Sequence, residues 1–310
     1  MNISPLVYAL VLNYHSLEDT LQCVDSLRHA DYPSLKILVI DNDSPKNEGK
    51  VLSENLAQDE FIQLPKNIGY TGGNNVGIKQ ALDHDAEFIF IVNPDVRVPK
   101  GCIQNYISIL INNPEIGALN PIQLNSEGNG LDEKFSRGIY TYQNREIPSL
   151  SDLDKADLIL DSNTLYGAAI ILPSKVLKKV GGFDPIYFAY GEEEDLCRRI
   201  KFFGYKLAVT NQSPIKHLRT KEENKNYRWR ILFLRLRGKY LFILKNPKSR
   251  FLICLKRSYK EFIEDFRNRA NLDYPYKLSH FISIGSWLII NIIRIFMHRK
   301  TDHKPSAYIS

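Results

Sequence analysis

The chain opens with an unbroken apolar run from Leu6 to Leu12, long enough for one strand. Three more such runs follow: LKILVI (35–40), FIQL (61–64) and FIFIV (88–92). Between the first two, Leu17, Leu21, Val24 and Leu27 recur at helical spacing, and Ser16 stands three residues before Asp19 in the manner of a capping box. Residues 46–57 read as a second helix. A glycine- and asparagine-rich turn, NIGYTGGNNVGI (67–78), opens a third near 74–83. Strands that are apolar throughout, alternating with helices, predict a mostly parallel α/β sheet covered on both faces.

The second half is less regular. TLYGAAIIL (164–172) reads as a strand, and PSKVLKKVGG as a short helix ended by Gly181 and Gly182. A loop, GFDPIYFAY, then leads into GEEEDLCRRI, a helix whose buried face is marked by Leu196, Ile200 and Phe203. Gly204 ends it, and the strand KLAV follows. Ser213-Pro214 breaks the chain before His217.

In a parallel sheet, ligands collect outside the carboxyl ends of the strands. Asn13, Asp41, Asn67 and Asp95 each fall just past such an end, so the fold brings them to one rim. Any one of them alone is an ordinary loop-capping residue; four together point to a site. Asp95 suits a hard divalent cation beside a diphosphate, and Asn93 could add an amide oxygen or bind a sugar hydroxyl. The 67–78 turn is glycine-rich and opens a helix, but it is not G-x-G-x-x-G. It follows the third strand, so taken alone it reads as a tight turn. Glu192, Glu193, Glu194 and Asp195 complement a helix dipole at its first turn, yet four acids exceed what capping needs. Successive helical positions point about 100° apart, so one or two of them can face a ligand, one as general base. His217, between Lys216 and Arg219, is a candidate metal ligand or phosphate contact.

Composition changes this picture in one respect. The 310 residues carry a net charge of +6. However, residues 216–260 hold fifteen lysines and arginines against two acids, Glu222 and Glu223, so the remainder is mildly acidic. Four widely spaced cysteines suggest neither a disulfide framework nor a zinc site, which favours a reducing compartment. The first residues lack a basic stretch before their apolar run, so no signal peptide is expected.

The ordered set LVYALVLNYHS, ILVIDNDS, KNIGYTGGNNVGI, FIFIVNPDV, YGAAIILPSKVLKKVGGFDPIYFAYGEEEDLCRRIKFFGYKLAV and IKH resembles glycosyltransferase family 2. Within it the sequence is most similar to the rhamnosyltransferase-like branch that builds bacterial surface polysaccharides such as O-antigen. The resemblance covers roughly residues 5–220 and implies a GT-A fold, a nucleotide-sugar donor and inversion at the anomeric carbon. It implies that Asn13 and Asp41 hold the base and ribose, and that Asn67, Gly69 and Asn74 line the nucleotide pocket. NPD stands in the place of the family's Asp-x-Asp, which makes Asp95 a ligand of Mg²⁺ or Mn²⁺, with His217 completing the metal–diphosphate site. GEEEDL stands in the place of the Glu-Asp motif, which makes Glu193 the base, with Glu192 and Asp195 as further candidates. Two departures stand out: Asn93 replaces a carboxylate, and Glu193 replaces the usual Asp.

A division follows into a glycosyltransferase part, 1–220, and a helical, basic, amphipathic C-terminal region, 221–310. Cationic and bulky apolar residues alternate closely from Asn226 to Phe262. Such a surface fits an anionic membrane better than nucleic acid, for which no motif appears. FISIGSWLIINIIRIFM (281–297) nears spanning length, but Ser283, Ser286, Asn291 and Arg294 interrupt it, which predicts an interfacial or packed helix. A helical subdomain or homo-oligomer contact is the plainer alternative. The expected location is the inner face of the cell membrane, beside a glycan or lipid-linked acceptor. The competing functions are a nucleotidyltransferase acting on a sugar phosphate and an inactive membrane-associated scaffold.

Overall fold

The computed structural model describes residues 4–56, 61–136, 160–162, 164–219, 225–269, 272 and 275–309. Nine strands among these residues form one sheet: β1 (Val7–Asn13), β2 (Leu35–Asp41), β3 (Phe61–Gln63), β4 (Phe88–Val92), β5 (Val96–Arg97), β6 (Ile116–Leu124), β7 (Leu160–Asp161), β8 (Ala169–Pro173) and β9 (Lys206–His217). Their order is β3-β2-β1-β4-β8-β6-β9-β5, with β7 also paired to β9. The four N-terminal strands are parallel, as their uniformly apolar character predicts. The sheet as a whole is mixed. β8 runs antiparallel to both β4 and β6, and β5 and β7 run antiparallel to β9. A run buried on both faces has the same composition in either direction, so its pattern does not encode this reversal.

Alternate residues of each central strand feed two cores. Val7, Ala9 and Val11 of β1 pack with Val39 and Phe90 against α1 (Leu17–Arg28) and α4 (Cys102–Asn112). Leu10, Ile40 and Ile89 pack on the opposite face against α3 (Gly69–Asp83), α5 (Ser174–Val180) and α6 (Glu192–Phe202). The remaining helix of this half is α2 (Glu48–Asn55).

Three expectations shift. Helix α3 begins at Gly69 instead of near 74, so the glycine-rich stretch is its first two turns. Of the apolar run 164–172, only the part from Ala169 onward is strand. β9 continues through Pro214 to His217, past a register shift that falls between Pro121 and Gln123 on β6. A proline inside a strand is tolerated at such an irregularity.

Helices α7 (Lys225–Leu244), α8 (Phe251–Arg267) and α9 (Leu278–Thr301) pack around Leu236, Tyr240, Phe281 and Ile284. This region is tied into the sheet-bearing half by several contacts. Beyond α9 the chain returns to α5: Gly182 N–H donates to Ala307 O at 2.8 Å, and Ile309 joins the core that holds Ile78 and Leu177. Lys245, fully buried, binds Asp184 at 2.5 Å, Asp302 at 3.0 Å and Asp195 at 3.2 Å.

Candidate active site

The parallel strands end at one rim. Asn13 and Asp41 are the last residues of β1 and β2 and pair directly in register. The amide of Asn13 donates to Asp41 Oδ1 at 2.7 Å, to Ser44 Oγ at 2.9 Å and to Glu48 Oε2 at 3.3 Å. Gln63 Nε2 and the Ser44 N–H fill the other oxygen of Asp41, at 2.6 and 3.1 Å. Both residues are fully buried, and each charge or dipole is matched, as burial requires. His15, exposed beside this cluster, has its Nδ1 3.0 Å from Glu48 Oε1.

Asn67 follows β3, and its Oδ1 accepts from Gly69 N–H at 2.8 Å and from Asn42 at 3.3 Å, fixing the start of α3. Gly69 has φ +82°, and a Cβ there would lie 2.5 Å from Phe188 O. Both the left-handed backbone and the close approach exclude a side chain. One turn on, Asn74 donates to Tyr70 O at 2.9 Å, while its fully buried Oδ1 has no partner. An orphaned acceptor in a cleft wall is a place where a ligand or water completes the bonding.

Asn93 and Asp95 lie beyond β4. The Asn93 side chain is half-buried and makes no hydrogen bond to a described residue. Asp95 bridges β4 to β5, and β5 pairs antiparallel with the end of β9, setting Val96 opposite His217. His217 Nε2 therefore lies 3.2 Å from Asp95 Oδ2. Burial by itself raises the Asp95 pKa, but the hydrogen bond and charge of His217 prevail and hold it below the usual range. His217 Nδ1 lies 3.2 Å from Gln123 Oε1, and Asp132, itself bound to Arg219, is 3.9 Å away. With Nδ1–H directed at Gln123, Nε2 can offer its lone pair, the usual orientation of a metal-ligating histidine.

A carboxylate and an imidazole nitrogen facing one opening suit Mg²⁺ or Mn²⁺ if a ligand supplies further oxygens. Among the described residues, no group of three or more His, Cys, Asp or Glu could hold a metal without that help.

Helix α6 starts at Gly191, φ +93°, so that its first turn carries the four acids. They divide sharply. Asp195 is fully buried and faces away from the cleft, bound by Arg199 Nε at 2.9 Å, Arg198 Nη2 at 2.8 Å, Tyr187 OH at 3.2 Å and Lys245. Burial alone would raise its pKa, but these cations press it far below the usual carboxylate range. Glu192 is also buried, and its Oε2 has no partner. Burial first, then the charge of Glu193, raises its pKa well above the usual value, which favours the protonated form beside Glu193. Glu193 is half-exposed. Burial raises its pKa, while the Gly167 N–H, Glu192 and the Arg235 cation oppose that rise. A Cβ at Gly167 would fall 2.2 Å from Glu193 Oε1, so any side chain there would push the carboxylate aside.

This geometry agrees with comparisons to known proteins. The sequence model of glycosyl transferase family 2 matches residues 8–170. The chain belongs to that family.

Curated relatives include the low-salt glycan biosynthesis hexosyltransferase Agl10 of Haloferax volcanii, 26% identical over 196 residues, 62% of this chain and 60% of that protein. The O-antigen biosynthesis protein RfbC of Myxococcus xanthus is 24% identical over 203 residues, 63% of this chain and 16% of that protein. The chain thus matches less than two thirds of either relative's length. Among solved structures, S. aureus TarS in complex with UDP-GlcNAc has a TM-score of 0.60 at 16% identity, covering 98% of this chain and 88% of that one. The mannosyltransferase PcManGT from Pyrobaculum calidifontis, in complex with GDP-Man and Mn²⁺, has a TM-score of 0.55 at 15% identity, covering 99% and 86%. Both share the GT-A architecture of this family-2 chain.

Several residues of this candidate site were not legible in the sequence. Glu48 and Gln63 hold the Asn13–Asp41 pair, and Gln123 and Asp132 surround His217. Nothing in their local pattern separates them from other polar residues. Tyr70 is the most informative omission. Its hydroxyl donates to Gly167 O at 3.1 Å, and its pKa is raised well above the usual value by burial and then by Glu193, Glu192 and Asp95. It thus joins the start of α3 to the acids of α6. Arg235 stands 4.4 Å over the Tyr190 ring, 45 positions away along the chain, a contact no local pattern signals.

Proposed function

We propose that the protein is an inverting glycosyltransferase that moves a sugar from a nucleotide-sugar donor to a hydroxyl of a glycan or lipid-linked acceptor. What supports this reading is that Tyr70 lies within electrostatic reach of both Glu193 and Asp95, whose carboxylate stands 3.2 Å from His217 Nε2. A base and a diphosphate-binding group on either side of one cleft are what a single displacement at an anomeric carbon requires.

In this reading, Asn13 and Asp41 mark the base and ribose end of the cleft, and Asn67, Gly69, Asn74 and Asn93 line it toward the sugar. Asp95 and His217 would hold Mg²⁺ or Mn²⁺, which when bound offsets charge on the departing diphosphate. Glu193 removes the proton from the acceptor hydroxyl as its oxygen attacks the anomeric carbon. The bond from that carbon to the phosphate oxygen breaks, and the nucleoside diphosphate leaves with its electron pair. One displacement inverts the centre. Glu192, protonated, steadies Glu193, and Asp195 anchors the helix that carries both. The donor we favour is dTDP-rhamnose, on the resemblance to the rhamnosyltransferase-like branch, within surface polysaccharide synthesis.

The deciding experiment incubates the full chain with dTDP-rhamnose, UDP-sugars and GDP-sugars, each with Mg²⁺ or Mn²⁺, and identifies the product. Release of nucleoside diphosphate supports transfer. Release of pyrophosphate from a nucleoside triphosphate and a sugar phosphate identifies a nucleotidyltransferase. Neither product, with no donor-induced rise in melting temperature, would favour a scaffold.

A further inference from the structure

Helix α9 is 24 residues long and apolar enough to cross a membrane, yet 22% of its apolar window is buried inside the protein. The buried and exposed positions are cleanly sorted. Phe281, Ile284 and Ile295 face inward, whereas Leu278, Ile282, Ile289, Ile290, Ile293 and Met297 are exposed, Ile290 by 80%. Steps of three, four and seven residues, with Ile290 next to Ile289, place them along one side of the helix. Apolar side chains this exposed and this contiguous mark an interaction face.

Helix α8 extends the face. It runs antiparallel beside α9, with Phe251 on Phe296 at one end and Phe262 on Phe281 at the other. Its inner side holds α7 through Asp265, which binds Lys239 and Tyr240. Its outer side carries exposed Leu252, Tyr259, Lys256, Arg257 and Lys260. No described acid pairs with those three cations. Exposed Lys277 and Lys300 close the two ends of the α9 stripe.

From this arrangement we infer that the α8–α9 face docks on an anionic lipid bilayer, with α9 lying in the interface plane. An apolar stripe supplies burial among acyl chains, and the cations around it match anionic headgroups. A protein partner would have to offer an apolar surface of the same length ringed by acids, whereas an anionic bilayer offers both everywhere. Helix α9 does not span. Its C-terminal turn is fixed to the sheet-bearing half by His298 on Asp184 at 2.6 Å, and Asp302 just beyond binds Lys245. Crossing the bilayer would break these contacts and carry buried polar groups into hydrocarbon, at high cost. On α7, Arg235 and Gly238 meet Tyr190, whereas Leu236 and Tyr240 pack toward α8 and α9, so the docking face lies across α7 from Tyr190.

The test measures vesicle binding by the full chain and does not depend on turnover. Phosphatidylcholine vesicles with and without phosphatidylglycerol are sedimented with wild type, Ile289→Asp/Ile293→Asp, and Lys256→Ala/Arg257→Ala/Lys260→Ala. Each basic residue near an anionic surface contributes about fivefold, so the triple variant should bind on the order of 100-fold more weakly to anionic vesicles. The double aspartate variant should lose binding while keeping its melting temperature, since both positions are exposed. Alkaline carbonate should release the wild type from membranes. Equal binding by all three proteins, absence of binding to anionic vesicles, or retention after carbonate would each overturn the inference. So would a lipid-free dimer that the aspartate variant dissociates, because the face would then belong to a second copy. Donor-induced thermal shifts of the same samples report separately on the transfer site.

Discussion

His217 Nε2 and Asp95 Oδ2 meet at 3.2 Å although β8 and β6 lie between their strands in the sheet. The chain leaves β4 through Asn93-Pro94-Asp95, crosses the top of those strands and pairs with the end of β9. Leu218 N–H donates to Asp95 O at 2.8 Å and completes the junction. A carboxylate ends a core strand here because that end is a crossing point over the cleft.

Asp95→Ala should abolish metal-dependent donor binding, read as loss of the metal-dependent thermal shift. Gln123→Ala, which only frees the His217 ring to turn, should weaken metal affinity by roughly 10–100-fold. Metal titrations of both variants check this, and an unchanged midpoint in Gln123→Ala would remove its orienting role.

Glu193→Gln should lower kcat by about 10²–10⁴-fold with donor affinity retained, as expected when a general base is lost. Because Glu193 acts ionised and its pKa is raised, activity should fall with decreasing pH through a value above the ordinary carboxylate range. The Arg235 cation lowers that pKa, so Arg235→Ala should move the acid limb toward higher pH. A pH–rate profile that Arg235→Ala leaves in place would sink this assignment.

Lys245→Met leaves Asp184, Asp195 and Asp302 without their shared cation. Removing one partner of a buried ion pair costs roughly 3–5 kcal/mol, and the loss should appear as a lower urea midpoint. Since Asp195 stands in the same helix as Glu193, activity should decline along with stability.

Asp302 gives a pH signature of its own. Burial, followed by the charge of Asp195, raises its pKa from 3.8 to about 6 in the folded protein. Its contribution to stability is complete below the unfolded value and is lost as pH rises through about 6. Asp302→Asn stays neutral and keeps an oxygen for Lys245 and Tyr308, so its melting temperature should gain on wild type between about pH 4 and pH 6. A gap that stays constant over that range contradicts the assignment.

The apolar runs of β1, β2 and β4, together with the helical repeat of α1, determined a layered α/β fold, because strand and helix periods are local and each strand is buried on both faces. The motif order likewise pointed to Asn13, Asp41, Asp95 and His217, which end or follow strands, and to Glu193 in the first turn of a legible helix. Tertiary structure decided what pattern does not carry: the reversed direction of β8, the crossing that sets Asp95 against His217, and the fate of four consecutive acids. Glu192 to Asp195 look alike in sequence. They differ because helical geometry turns Asp195 onto Lys245 and Arg199, Glu192 into a dry wall, Glu193 beside Gly167, and Glu194 out to solvent.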